Sequence, residues 1–386
     1  MSNQLTVAGL FAGIGGVEQG LAKAGHSAEH LCEVWTPAQE VLKQRFPGVP
    51  LHGDVRTLAE LPDVDLVTGG FPCTDLSQAG RTAGIAGSQS GLVSEVFRLV
   101  ERSLPDWLVL ENVRNMLPLD GGRAMHVLVT ELERLGYVWA YRLVDSRFAG
   151  VPQRRQRVLV VASRVADPRH VLLSDDAQEP KAKYWRDDAF GFYWTEGLRG
   201  LGWARDAVPT LKGGSTIGIP SPPGIWLASA EPGSRLVTPS IEEAEVMQGF
   251  RRGWTAGASG REGVRWKLVG NAVTVGVAAW LGARLADPGI HKEPHTELAA
   301  SDRWPNAAWG GGGRRFLSTA SMWPTRPTRY RHLTSIVDAA AAKPLSHRAA
   351  AGFYDRAGRG GLNFDPSFIL DVKEHVELTR SQSAVL

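Results

Sequence analysis

The stretch Leu5-Thr6-Val7-Ala8-Gly9-Leu10-Phe11-Ala12-Gly13-Ile14-Gly15-Gly16 decides the fold. Leu5 to Gly9 is short and apolar, as a buried strand is. Gly13, Gly15 and Gly16 follow, and apolar residues then recur at helical spacing through Val17, Leu21 and Ala24. Strand, tight glycine turn and helix is the unit this pattern specifies. Such a turn lets the backbone approach a ligand closely and presents amides at a helix start. By itself it is a weak signal, since a plain tight turn is about as common.

The same unit repeats outward. Strands are expected at Ala28–Glu33, Val64–Thr68, Trp107–Leu110, Val138–Val144 and Val158–Ala162. Helices are expected at Thr36–Arg45, Leu92–Arg102 and Met125–Leu135. Strands alternating with helices predict an α/β fold with a mainly parallel sheet covered on both faces. Ligands of such sheets sit outside the carboxyl ends of the strands. Gly13, Glu33, Cys73 and Glu111 all fall at or just after expected strand ends.

The texture changes near Arg164. Residues 165–234 are irregular and rich in Pro, Gly and Trp, and Ile219-Pro220-Ser221-Pro222-Pro223-Gly224 cannot be helical. Periodic sequence returns at Ile241–Phe250 and Asn271–Leu285. The expected organisation is a first domain at 1–164, a smaller inserted domain at 165–250, a return to the first at 251–290 and an extension at 291–386. From Arg303 to Val337 there is no Asp or Glu, but there are six Arg among Trp304, Trp309, Phe316, Trp323 and Tyr330. These cations suit phosphates of any sequence, with Gly310–Gly313 letting the backbone bend toward a partner. The plainer alternative is an arm packing its Trp residues on the first domain.

Composition sets the class. The 386 residues suffice for more than one domain, and 43% hydrophobic with 22% charged residues is a soluble globular composition. The net charge of +3 is small, so a basic surface for nucleic acid must be local. Two cysteines, Cys32 and Cys73, make neither a disulfide framework nor a Cys-rich zinc site, and the ten histidines show no metal-ligand spacing. The start Met1-Ser2-Asn3-Gln4 has no signal-peptide pattern, and no apolar run reads as a membrane span. A cytoplasmic protein without membrane or metal partners is expected.

The candidate chemistry lies in single residues. Cys73 sits in the loop Gly69-Gly70-Phe71-Pro72-Cys73-Thr74. Most lone cysteines are small core hydrophobes, but a loop bounded by Gly and Pro is no core position, and a thiolate is a strong nucleophile. Glu111 ends an apolar strand, where a carboxyl group is suited to proton donation; alone it reads as a cap or surface acid. Arg155 and Arg157 alternate at strand period, so both are expected on one face, where guanidinium groups suit phosphates and ring carbonyl oxygens. Glu33 after the second strand could bond ribose hydroxyls, and Asp54 an adenine amino group. That pair behind a glycine loop points to a ligand with a nucleoside half.

Taken together, LFAGIGG at 10–16, CE at 32–33, HGDVRTL at 52–58, GGFPC at 69–73, ENV at 111–113, QRRQR at 153–157, RLVTPSIEEAEVMQGF at 235–250 and GNAV at 270–273 resemble the cytosine-5 DNA methyltransferase family. The motifs stand in the family's unpermuted order and span about three quarters of the chain. The resemblance implies a Rossmann-like, S-adenosylmethionine-dependent methyltransferase fold with a target recognition domain. It implies that Phe11 stacks on the cofactor adenine, that Gly13, Ile14, Gly15 and Gly16 hold the methionine end, that Glu33 binds ribose and Asp54 the adenine edge, and that Asn271 closes the pocket. Cys73 would be the nucleophile, Glu111 the acid at ring nitrogen 3, and Arg155 and Arg157 groups on the target base and phosphate. Ser77, Gln78 and Arg81 would lie on a loop closing over the base.

Three departures stand out: Gly9 where the family often has an acid, Thr74 where Gln often follows the cysteine, and Val34 where some members have an aromatic. The partner implied is duplex DNA, for a monomeric enzyme of a restriction-modification system with an accompanying endonuclease. The alternatives are a tRNA cytosine methyltransferase on the same fold and a catalytically dead DNA-binding module. The segment 157–235 weighs against the first, and the intact Cys73, Glu111 and Arg155 against the second.

Overall fold

The computed structural model describes residues 4–71, 91–213, 220–292, 294–299, 301–339 and 341–383. The chain forms two compact units. The first comprises residues 1–149, 156–179 and 272–327; the second comprises 150–155, 180–271 and 328–386.

Strands are numbered along the whole chain. The first unit holds β1 (Thr6–Leu10), β2 (Ser27–Cys32), β3 (Leu51–His52), β4 (Leu66–Gly69), β5 (Trp107–Val113), β6 (Val138–Asp145), β8 (Gln156–Ser163), β14 (Thr296–Glu297), β15 (Ala307–Gly311) and β16 (Arg314–Leu317). They form one sheet in the order β14-β16-β15-β6-β8-β5-β4-β1-β2-β3. Strands β3, β2, β1, β4 and β5 are parallel neighbours. From β5 onward the pairings are antiparallel. The parallel half follows from its helical crossovers: α1 (Gly16–Ala22), α2 (Thr36–Arg45), α3 (Leu92–Ser103) and α4 (Arg123–Arg134). Val93, Val96, Phe97 and Val100 recur at helical spacing on α3. With Met125, Leu128 and Leu132 of α4 they cover Leu10, Val67, Leu108, Leu110 and Val160 on one sheet face.

The segment 291–327 is part of this sheet rather than a separate arm. Strand β15 pairs antiparallel with β6, Trp309 opposite Ala140. Trp304 lies edge-on to Trp139 and Tyr141 at 6.0 and 5.9 Å. Gly312 and Gly313, at φ +60° and +79°, form the β15–β16 hairpin turn. Gly310 and Gly311 belong to β15, so the glycine run builds a hairpin instead of a bend toward a partner.

The second unit is built from shorter pieces: β7 (Gln153–Arg154), β9 (Ala189–Phe192), β10 (Ala204–Arg205), β11 (Val208–Pro209), β12 (Gly224–Leu227), β13 (Leu236–Thr238) and β17 (Lys343–Pro344). An antiparallel sheet runs β10-β9-β12-β13-β17, and β7 pairs parallel with β11. Its helices include α5 (Ile241–Met247) and α6 (Glu262–Asn271). Ser240 caps α5 in a reciprocal capping box with Glu243. The return to the first unit comes at Ala272, where α7 (Val275–Ala286) begins its packing on α1, and not at 251. Residues 251–271 stay in the second unit because buried Glu245 accepts from the amides of Trp254 and Thr255 at 3.1 and 2.8 Å. The last helices, α8 (His347–Arg359) and α9 (Pro366–Ser383), close an aromatic core with Phe192, Trp226, Phe353 and Phe368. Residues 291–386 are thus shared between the units. The run Glu262–Ala286 is apolar and long enough for a membrane span by composition, against the sequence expectation, but it is 61% buried within the fold.

Candidate active site

The glycine turn after β1 is built on left-handed backbone. Phe11, Gly13 and Gly15 have φ of +55°, +56° and +79°. A side chain at Gly15 would lie 2.2 Å from the Phe46 ring, whereas nothing stands within 4 Å of the position a Cβ would take at Gly13. Ile14 is buried beneath the turn and Phe11 is half-buried. Glu33, directly after β2, accepts from the Gly13 amide at 2.8 Å and from the Trp35 amide at 2.8 Å. It therefore fixes the turn against the end of β2.

Asp54 follows β3 and accepts from the Arg56 side chain and backbone amide, which hold its carboxyl below the usual range. The space a side chain at Gly9 would fill is taken by the Glu18 carboxyl, 2.2 Å from the ideal Cβ position. Burial pushes Glu18 up to about 7, and the nearby Glu33 carboxylate adds to the shift.

Glu111 lies within β5, which runs two residues past it because Asn112 and Val113 continue the pairing with β8. Its carboxylate forms an ion pair with Arg157 Nε at 2.8 Å. Its other oxygen lies 3.6 Å from the ideal Cβ position of Gly70. Asn112 Nδ2 donates to the Phe71 carbonyl at 3.1 Å. ENV thus anchors the GGFPC loop to within two residues of Cys73. Cys73 itself lies outside the described residues, as do Thr74, Ser77, Gln78 and Arg81. The other cysteine, Cys32, is buried in the core, and desolvation, with Glu33 and Asp54 adding, pushes its thiol up to about 12. It is no nucleophile near neutral pH.

Arg155 and Arg157 do not share a face. The strand breaks between β7 and β8 at Arg155, so the period-two expectation fails. Arg157 pairs with Glu111 in the first unit, while the buried Arg155 donates to the Gly270 carbonyl at 3.0 Å in the second. Gln153, also buried, donates to Met247 O at 3.2 Å and accepts from the Leu211 amide at 3.1 Å. The middle of QRRQR therefore ties the second unit together. Asn271 ends α6 of the second unit and is exposed. Within the first unit the structure brings together the glycine turn, Glu33, Glu18 and, across the same strand ends, Glu111 with Arg157. Sequence reasoning missed Glu18; its only signal was the pairing of a bare Gly9 with an acid on the first helix. Among the described residues no group of three His, Cys, Asp or Glu side chains is placed to hold a metal ion.

The chain is similar to known proteins in sequence and in fold. A model of the C-5 cytosine-specific DNA methylase family matches residues 5–188. Type II methyltransferase M2.BsuMI of Bacillus subtilis (strain 168) is 45% identical over 382 residues, 95% of this chain and 96% of that protein. Type II methyltransferase M.BanI of Aneurinibacillus aneurinilyticus is 33% identical over 181 residues, 45% of this chain and 42% of its own length. The crystal structure of S. pombe Dnmt2 methyltransferase superposes with a TM-score of 0.54 at 16% identity, covering 73% of this chain and 98% of that one, a likeness of fold. With a relative matched from end to end at this identity, the chain belongs to the C-5 cytosine-specific DNA methylase family.

Proposed function

We propose that this DNA (cytosine-5-)-methyltransferase works through a covalent adduct of Cys73 with a cytosine flipped out of duplex DNA. Glu111 serves as the acid and Arg157 holds Glu111 in place, while Arg155 braces the second unit through the Gly270 carbonyl. The observation that carries the reading is that Asn112 Nδ2 holds the Phe71 carbonyl while the Glu111 carboxylate, paired with Arg157, lies beside Gly70. The donor is S-adenosylmethionine, which supplies an electrophilic methyl group when bound. The residues at the strand ends fit it. Gly13 leaves open space at an amide held by Glu33, Phe11 offers a half-buried ring, and Glu18 offers a buried oxygen without a partner. In this reading Asp54, held by Arg56, takes the adenine edge.

The chemistry follows from the base. Carbon 5 of cytosine is a poor nucleophile. Addition of the Cys73 thiolate to carbon 6, with a proton delivered by Glu111 to ring nitrogen 3, leaves electron density at carbon 5. Once that carbon is substituted, its proton departs and the bond to Cys73 breaks, so one hard step becomes several easier ones. Extruding the base costs roughly a few kcal/mol. In this reading the second unit carries sequence readout, because base edges in the major groove need side chains that the catalytic face cannot spare. A cytoplasmic setting and an accompanying restriction endonuclease belong to the same reading, from the likeness to proteins named Type II methyltransferases.

Transfer of labelled methyl groups to duplex DNA and to tRNA, followed by bisulfite sequencing of DNA from expressing cells, tests it. Methylated cytosines in one short sequence are expected. Labelling of tRNA instead, or of neither, would overturn it.

A further inference from the structure

Glu18 is a buried acid that takes no part in the reaction steps above. It lies on α1, is 3% exposed, and its Oε2 has no hydrogen-bond partner. A carboxyl group in such a place is costly unless something compensates it. The fold nonetheless makes room for it: Gly9 contributes no side chain, and an added Cβ would meet Glu18 Oε1 at 2.2 Å and Leu31 at 3.2 Å. On the side of β2 the charged group that bears on it is Glu33. Both Glu33 oxygens are already committed to the amides of Gly13 and Trp35. Two carboxyl groups therefore converge behind the glycine turn, one engaged by backbone and one with an oxygen to spare.

Among the described residues no cation pairs with Glu18, and the cofactor's methionine end carries both an ammonium and a sulfonium. We propose that Glu18 is a cofactor-binding residue that gives up its proton when S-adenosylmethionine binds and pairs with the positive charge of the methionine end. The inference rests on placing the cofactor at the glycine turn. The proton is held in the free protein because burial and Glu33 push the Glu18 carboxyl up to about 7. An added cation favours the ionised form, so binding releases a proton to solvent. Affinity should then fall as pH drops below about 7 and level off above it.

Calorimetric titration of the full-length protein with S-adenosylmethionine, in two buffers of different ionisation enthalpy between pH 6 and 8, reads this directly. The wild type should release a substantial fraction of a proton near pH 6.5. Glu18→Gln, which keeps the shape of the side chain, should release none and bind about tenfold or more weakly. A wild type that binds with no proton release overturns the proposal even if the variant proves unstable. So does a folded Glu18→Gln that matches the wild type in affinity and proton release. Phe11→Ala separates the two layers. If it weakens binding while Glu18→Gln does not, the role of Glu18 fails alone; if neither weakens binding, the placement of the cofactor fails.

Discussion

The two units reach stability by different routes. In the first, long apolar strands such as β5, β6 and β8 are buried along most of their length, and each hydrophobic run carries its own contribution. In the second, strands of two to four residues are held by a few polar hubs joining segments far apart in sequence. Asp206, fully buried at φ +51°, accepts from the amides of Arg186 and Leu333 and from the His332 ring. Arg235 reaches Asp371 at 2.6 Å, and the Trp226 indole donates to the same carboxylate at 2.7 Å.

The contrast should appear most strongly in turnover. Cys73→Ser should abolish methyl transfer, because a serine hydroxyl is far less ionised than a thiol near pH 7, with DNA binding retained. Glu111→Gln should slow the chemical step by roughly 10²–10⁴-fold while cofactor affinity holds. Single-turnover kinetics with wild-type-like rates in either variant would break the assignment of chemistry to the first unit.

Next come the hubs. Phe353→Ala should cost about 3–5 kcal/mol. Asp206→Ala should cost on the order of 1–3 kcal/mol for each donor left without an acceptor. Hydrogen exchange should show the loss confined to residues 180–271 and 328–383, with β4 and β5 still protected. Uniform loss across both units would mean that the hubs do not belong to the second unit alone.

Much of the first unit was legible because its signals are local. The helix Thr36–Arg45 is found as expected, and β1, β2 and β4 lie within two residues of their expected bounds. Residues 291–386 were not legible because their partners are distant. Nothing near Trp309 announces a strand neighbour at Ala140, and nothing near Tyr330 announces the Asp206 carbonyl to which its hydroxyl donates. Arg155 misled for a related reason: strand period holds only while a strand continues, and here it breaks. The same interleaving changes how the basic stretch is to be tested, since truncation near residue 295 would remove three sheet strands from one unit and two helices from the other.

A smaller effect concerns pH. In the protein without cofactor, Glu18 is raised from 4.5 to about 7. The folded state then holds a proton that the unfolded state has lost. This contribution is fully present below pH 4.5 and disappears as pH rises to 7, with a ceiling of about 3 kcal/mol at 1.36 kcal/mol per pH unit. Glu18→Gln should remove that slope and melt higher than the wild type at pH 8. Equal melting temperatures at pH 8 would show that Glu18 carries no strain in the free protein.

The smallest expected effect is on DNA affinity. Arg314 pairs with Glu297 and Arg315 lies over Trp304, whereas Arg303, Arg326, Arg329 and Arg331 are exposed. If they meet phosphates, each change to alanine should weaken binding to all duplexes alike and lower the salt slope by about one. An unchanged slope would leave them as ordinary surface charge.

The chain crosses between its units at 149/150, 155/156, 179/180, 271/272 and 327/328. This has a consequence for synthesis. As the chain leaves the ribosome, the parallel half of the large sheet can assemble from the first 113 residues, but β6 waits for β15 and the aromatic core of the second unit waits for Phe353 and Phe368. Domains that are contiguous in sequence fold one after another during translation; these two cannot. The first unit is not complete until residue 327 has been made, and the second not until α8 and α9 have followed.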